Sequence, residues 1–276
     1  MNYSTEISGR AGDPPQPITK HRFFTRASKL KPKIAGFVAS DTAGQIIGFL
    51  SGKRVRHQGL WFDVRSKDFS PRVRAQMFWG IYEGAETRMI RQLLQGSKAV
   101  VELGSSLGVT TCHIAEAMAP GGHLVCVEAN PNLGKGLSKR ISPYSASLHI
   151  DMIHAAVTDR SGTANFTLSS ETFSSRIGPP RKHEITVEVP ALTLRQILRE
   201  TQVTTFDLVA DVEGAEATFL IKDPDSLAQC KRAIIELHDS TISGVNTTIS
   251  DLRSAALRAG FQIIRSHGSV VVLVRP

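Results

Sequence analysis

No uninterrupted hydrophobic run in this sequence reaches the ~18 to 20 residues that a membrane-spanning helix needs. The start is polar and holds no apolar stretch of signal-peptide length, so export is not expected. Cysteine is scarce. Cys112, Cys126 and Cys230 are odd in number and far apart, and they show none of the paired spacing of a metal site. Two of them fall in apolar runs, where a free thiol behaves as a small hydrophobe. A reducing compartment is the simpler inference, and the cytoplasm the expected location. Internal repeats are missing, as is the interleaving of aromatic and basic residues that stacks single-stranded bases.

The chain does carry a basic excess, 33 Lys and Arg against 25 Asp and Glu, for a net charge of +8. Much of it lies early, in Lys20, Arg22, Arg26, Lys29, Lys31, Lys33, Lys53, Arg54 and Arg56. Such a balance favours anionic partners, but it acts through solubility and steering and leaves the fold open. Hydrophobic content of 41% and charged content of 21% are those of a globular protein. A length of 276 residues suits one well-filled α/β domain with a modest extension.

Three stretches follow from the pattern. Residues 1–33, polar, basic and punctuated by Pro14, Pro15, Pro17 and Pro32, read as a tail that cannot bury enough apolar surface to order itself. Residues 34–96 read as an N-terminal cap: a helix from Asp41, a hairpin around Gly59, and one helix over Arg74–Leu94 stopped by Gly96. Residues 97–276 alternate strand and helix. Strands are expected at Ala99–Leu103, Leu124–Val127, Leu148–Val157, Phe206–Val212 and Ala233–Leu237, with helices at Val109–Met118, Leu133–Ile141, Leu194–Arg199, Ala215–Ile221 and Ile249–Arg258. Alternation of this kind makes an α/β fold with a mostly parallel, doubly wound sheet. Ala164–Leu168 and Ile185–Val189 look like an inserted strand pair. Phe261–Arg265 and Val270–Val274 are joined by so short a turn that they must be antiparallel.

In an open α/β sheet the ligand lies beyond the carboxyl ends of the strands, where the strand order reverses. The first strand of the domain ends in Glu102-Leu103-Gly104, and Gly108 opens the next helix. Glu-x-Gly-x-x-x-Gly differs from the Gly-x-Gly-x-x-Gly dinucleotide fingerprint. It also puts a carboxylate where a pyrophosphate would be repelled, which suits a cationic ligand. Glu128 ends the second strand, placed to accept hydrogen bonds from ribose hydroxyls. Either carboxylate alone could be a solvated strand end; the pair points to a nucleoside-bearing cation.

These residues belong to a longer set: Tyr82-Glu83-Gly84-Ala85-Glu86, then VVELGSSLGVT, VEANP, AAVTDRSGTANF, LTLRQIL, FDLVADVEGAE and IIELH. Over Tyr82–Leu237 the chain resembles the FkbM-type O-methyltransferases, most specifically in Asp211-Val212-Glu213-Gly214-Ala215-Glu216 and Glu236-Leu237-His238. The resemblance implies a Rossmann-like methyltransferase sheet with the C-terminal antiparallel hairpin, S-adenosylmethionine as methyl donor and a hydroxyl as acceptor, often on sugars, polyketides or surface glycans. The first-strand motif departs from the commoner Asp and Ala-Asn-Ile-Gly form, yet retains the acid and both glycines.

Carried onto this sequence, the resemblance assigns Tyr82, Glu83, Glu102, Gly104, Ser105, Gly108, Thr110, Glu128, Ala129, Ala156 and Asp211 to the cofactor. Asp211, next to the expected methyl position, is the first candidate to deprotonate or orient the acceptor, with Glu213 and His238 behind it. Capping of the following helix is the alternative reading for Glu213 or Glu216. Asp211, Glu236 and His238 could converge on a divalent cation, but no metal spacing is present and none is expected. The polar loop 169–182, with Phe173, Arg176, Arg181 and Lys182, is the expected acceptor gate.

A small-molecule or glycan acceptor, with anionic and lipid-linked ones among the candidates, is therefore expected, with no nucleic acid and no membrane span. One rival is a nucleic-acid methyltransferase, favoured by charge alone and lacking the Asn/Asp-Pro-Pro-Tyr/Phe element of base methylation. Another is a binding protein that kept the fold without catalysis.

Overall fold

A computed structural model describes residues 40–168, 176–177, 185–242 and 245–276. The expected tail and most of the 169–182 loop lie outside these residues. The described residues fall within one unit, Val38–Pro276.

The chain opens with α1 (Asp41–Leu50), the hairpin β1 (Arg54–His57) and β2 (Leu60–Asp63), then α2 (Pro71–Phe78) and α3 (Gly84–Leu93). The alternating part follows as β3 (Ala99–Leu103), α4 (Val109–Ala117), β4 (His123–Val127), α5 (Gly134–Ile141) and β5 (His149–Ile153). After it come β6 (Ala156–Val157), β7 (Gly162–Leu168), β8 (Arg176–Ile177), β9 (Ile185–Leu192), α6 (Leu194–Glu200) and β10 (Phe206–Ala210). The last elements are β11 (Cys230–Glu236), β12 (Ser240–Ile242), β13 (Val245–Thr247), α7 (Ile249–Arg258), β14 (Gln262–His267) and β15 (Val270–Val274).

The central sheet has seven strands in the order β14-β15-β11-β10-β3-β4-β5. Strands β5, β4, β3, β10 and β11 run parallel, while β15 is antiparallel to both β11 and β14. The α/β sheet with a closing antiparallel hairpin is thus present as read from the sequence. From β3 the chain winds outward to β4 and β5, then returns to lay β10 on the other side of β3. The strand order reverses between β3 and β10, so the crevice of this fold opens at their carboxyl ends.

Two-sided burial explains why the strands read as continuous apolar runs. Val100 and Leu124 point into one hydrophobic cluster, with α4, α5 and the cap, while Val101, Val125 and Leu208 point into another with α6 and α7. Cap residues Val55, Phe62, Val64 and Phe69 pack in the first cluster, so the cap shares the domain's core. Arg232 pins the cap to the sheet: its guanidinium donates to both oxygens of Asp207, to Ser97 Oγ and to the Leu93 carbonyl.

Three elements differ from the sequence reading. The helix expected over Arg74–Leu94 is two helices, because Gly80 and Glu83 adopt left-handed φ values of 65° and 44° between them. Apolar periodicity continues on both sides of the break and conceals it. The strand expected over Leu148–Val157 is divided between two sheets: β5 pairs with β4, whereas β6 pairs with β9. His154 sits at the break and its Nδ1 donates to the Glu128 carbonyl at 2.8 Å. The helix expected over Ala215–Ile221 is a π-helical turn, Thr218–Lys222, a form frequent at functional sites. The inserted strands form antiparallel β7 and β9 in a four-stranded sheet with β6 and β8.

Candidate active site

The turn after β3 is shaped by close backbone approach. Gly104 has φ 87°, and a Cβ there would lie 1.9 Å from the Asp211 carbonyl oxygen. Only glycine lets the β3 turn meet the end of β10 this closely. Gly104 and Ser105 donate their N–H groups to the Val127 carbonyl at 2.9 and 3.1 Å, tying the turn to β4 as well. At Gly108 a Cβ would meet Leu137 Cδ1 at 2.6 Å, so its bareness serves helix packing against α5.

The expected residues divide among three places. Gly104, Glu128, Ala129, Ala156, Asp211 and Glu213 line one cavity of about 60 Å³ together with Val127, Ala155, Val157, Phe166, Val212 and Ala215. Tyr82, Glu83, Asp211 and Glu213 line an adjoining open cleft of about 790 Å³ with Trp79, Ile81, Glu86, Arg88, Glu236 and His267. Asp211 and Glu213 are common to both. Glu102, Ser105, Gly108 and Thr110 line neither; they are buried behind the turn, where Glu102 Oε2 accepts from Thr111 Oγ1 at 2.6 Å.

Glu128 already works as an acceptor. Its Oε2 takes the Ser106 N–H at 2.7 Å and its Oε1 the Asn130 N–H at 2.6 Å, which fixes the carboxylate at the cavity wall. Burial raises its pKa, against the pull of those N–H groups.

His238 sits at the end of β11 among acids. Its Nδ1 lies 2.9 Å from Glu216 Oε1, and its Nε2 faces Glu213 at 3.8 Å, Asp211 at 3.9 Å and Glu236 at 4.0 Å. Burial disfavours the imidazolium, yet Glu216, Asp211 and Glu213 together push its pKa up to about 9. Burial, and then the charges of Glu236 and Glu213, hold the Asp211 carboxyl well above the usual carboxylate range. Glu83 is pushed up to about 8, again chiefly by burial. Glu213 is raised for the same first reason.

So many acids around one imidazole make the crevice a place where positive charge is favoured. The same region concentrates unmet polar atoms. Tyr82 OH, Glu83 Oε2, Glu102 Oε1, Ser105 Oγ, Ser106 Oγ and Asp211 Oδ1 are buried without a hydrogen-bond partner at normal length. Buried polar groups are ordinarily satisfied, so the orphan atoms that do line the cleft, on Tyr82, Glu83 and Asp211, fit a polar, cationic ligand there. Backbone strain gathers there too: Glu83, Ser106 and Glu213 have φ of 44°, 45° and 51°, values that non-glycine residues rarely adopt.

Four contributors were missed as site residues in the sequence. Phe166, from the inserted sheet, walls the cavity, and no local signal marks it. Trp79 and Ile81 stand on the cleft rim inside what reads as helix interior. Glu216 was weighed as a helix cap; its bond to His238 depends on a contact across 22 residues.

A seven-stranded sheet with this hairpin, and an acid-lined crevice at its switch point, define a Rossmann-like methyltransferase, whose methyl donor is S-adenosylmethionine. Residues 102–263 match the methyltransferase FkbM domain, more than half of the chain, and the protein belongs to that family. No curated protein matches it in sequence. Among solved structures, fibrillarin of Aeropyrum pernix with bound S-adenosylmethionine is 11% identical, covering 69% of this chain and 74% of its own, with a TM-score of 0.42. A Streptococcus pneumoniae protein, provisionally assigned as a tRNA (m1A22) methyltransferase and in complex with the same cofactor, is 12% identical over 69% and 72%, at 0.41. A provisionally assigned RNA methyltransferase of Pyrococcus horikoshii is 10% identical over 85% and 98%, at 0.40. Likeness at this level leaves acceptor and reaction open.

Proposed function

We propose that this methyltransferase transfers its methyl group to a hydroxyl of a neutral, sugar-like acceptor. The observation that carries this is the union of the two spaces at Asp211 and Glu213. The narrow cavity with Glu128 suits the nucleoside end of the donor, with the carboxylate turned to ribose hydroxyls. At about 60 Å³ it is smaller than any nucleoside, so its Phe166 wall yields as the donor enters. The wide cleft suits the acceptor. Trp79, about half exposed, offers an aromatic face, and Glu83, Glu86 and Glu236 offer acceptors for hydroxyl protons. Aromatic platforms beside carboxylates fit a ring that is apolar on its face and hydroxylated at its edge.

The same lining opposes phosphate. Although the protein as a whole is basic, the described cleft has only Arg88 and His267 against its carboxylates, a poor seat for a nucleic-acid backbone. A charged acceptor would have to carry its anion away from the reacting hydroxyl.

S-adenosylmethionine supplies, when bound, a methyl on a positively charged sulfur that departs as a neutral thioether. Proximity and in-line alignment then provide most of the acceleration. Asp211 and Glu213 stand where both spaces meet and orient the hydroxyl; its proton passes to this acid–imidazole group as the oxygen–methyl bond forms. Burial raises the Asp211 pKa, and positive charge beside it, from His238 or a cationic ligand, lowers it again and favours the carboxylate that accepts the proton.

Methyl-donor turnover measured against a glycan panel and an RNA panel tests the reading. Transfer to a hydroxylated glycan is expected, with Asp211→Ala losing more turnover than donor affinity. Transfer to RNA alone, or wild-type turnover in Asp211→Ala, would sink it.

A further inference from the structure

The side chains between cavity and cleft are arranged as a coordination site. With Nδ1 hydrogen-bonded to Glu216 Oε1, His238 presents Nε2 to the crevice. Glu216 is fully buried and is itself held by the Gly214 N–H at 3.3 Å. A carboxylate gripping one imidazole nitrogen so that the other faces a ligand is the usual support behind a metal-binding histidine.

The distances in front of Nε2 are the second element. Glu213 Oε2 at 3.8 Å and Asp211 Oδ1 at 3.9 Å are too far for hydrogen bonds to it. The three donor atoms lie within 4.8 Å of one another. Two donors each about 2.1 Å from one ion sit at most about 4.2 Å apart, so the two gaps at Nε2, 3.8 and 3.9 Å, are short enough for one ion to bridge. Independently, Asp211 Oδ1 is buried, has no hydrogen-bond partner, and points into that gap. Glu213, which faces the gap, has a left-handed backbone at φ 51°.

A contrasting cluster shows what a closed arrangement looks like. His123, His149 and Asp151 also lie together, at the amino ends of β4 and β5, but His123 Nε2 is hydrogen-bonded directly to Asp151 at 2.8 Å. Its acid is thus already engaged, and His149, 3.7 Å from the same carboxylate, is solvent-exposed.

We propose that Asp211, Glu213 and His238 hold a divalent cation of the Mn²⁺ or Mg²⁺ class. Two carboxylates and one imidazole form a donor set that suits Mn²⁺, and the remaining coordination positions open toward the cleft. A hydroxyl drawn to such an ion is oriented and made more acidic. The ion's use rests on the methyl-transfer reading; its existence does not.

Mn²⁺ titration of the full chain, followed by the electron paramagnetic resonance of free Mn²⁺, decides the matter without turnover. One saturable ion per chain is expected in the wild type. Glu213→Gln and His238→Gln should weaken it by about tenfold or more, and Glu216→Gln by ~10- to 100-fold through loss of its hold on the imidazole. Asp151→Asn should leave it unchanged, with circular dichroism reporting the fold of each variant. Absence of saturable binding in the wild type overturns the proposal, as does binding that survives Glu213→Gln and disappears in Asp151→Asn. Methyl transfer that persists in chelator with no Mn²⁺ bound removes the cation and leaves the hydroxyl acceptor standing. One bound Mn²⁺ without transfer to any hydroxyl supports the cation and removes the acceptor.

Discussion

Glu128 shows how one carboxylate serves both structure and ligand. Both of its oxygens accept backbone N–H groups, from Ser106 in the β3 turn and Asn130 after β4, and the side chain still borders the cavity. Hydrogen bonds to a charged group contribute roughly 1.5–3 kcal/mol. Glu128→Ala is expected to raise the Kd for S-adenosylmethionine about tenfold or more, with a smaller fall in turnover at saturating donor. Calorimetric titration checks this; unchanged affinity would separate Glu128 from the donor site. Its position was legible in the sequence because it ends the second strand and is paired with the acid and glycines that end the first. The satisfied state of both oxygens was not, because it depends on how two turns meet.

At the scale of elements, the β3 turn and the end of β10 define each other. The 1.9 Å that a Cβ at Gly104 would leave to the Asp211 carbonyl cannot be relieved by moving a side chain, since both partners are backbone. Gly104→Ala is expected to cost roughly 2–4 kcal/mol, from the positive φ and the overpacking together. Denaturant unfolding measures it, and a loss under about 0.5 kcal/mol, an ordinary surface value, would mean that the two strand ends separate readily. The broken helix between α2 and α3 carries a parallel lesson. Its apolar spacing predicts one rod, whereas left-handed Gly80 and Glu83 turn the chain so that Trp79, Ile81 and Tyr82 face the cleft. Periodicity reports which face is buried and is silent on a break that keeps the faces in phase.

At the scale of the whole molecule, a buried pair of histidines sets an acid limit. His57 Nδ1 and His113 Nε2 lie 3.2 Å apart with both residues inaccessible, joining the cap hairpin to α4. Burial lowers the pKa of His57 to about 4, against a backbone hydrogen bond, and that of His113 to about 3, with the charges of His57 and Arg91 adding to the effect. In the unfolded chain both titrate near the ordinary value of about 6.5. Below that pH the unfolded state binds protons that the folded state refuses. Stability is therefore present in full above about pH 6.5 and falls as pH drops toward the folded values, by up to ~1.4 kcal/mol per pH unit for each imidazole. Raised acids such as Glu83, at about 8, take up protons in the folded state over the same range and oppose this loss, so the pair is read by difference. Between pH 7.5 and 4.5 the Tm of the wild type is expected to fall relative to that of His113→Gln, and a constant difference between the two would contradict the buried neutral pair.

By itself the sequence determined the layout: alternating strands and helices, a closing antiparallel hairpin, and acids with glycines at strand ends. These are local signals, written in periodicity and in residues with special backbone or charge, and they survive being read one segment at a time. The tertiary structure alone decided which acids meet. Glu83 from the cap, Asp211 and Glu213 after β10, and Glu236 and His238 after β11 are brought together only by the order in which the strands lie in the sheet. The sequence reading paired Asp211 and His238 with Glu236, whereas the geometry places Glu213 within the same group and ties Glu216 to the imidazole. Long-range packing sets such distances to a few tenths of an ångström, and no spacing along the chain encodes them.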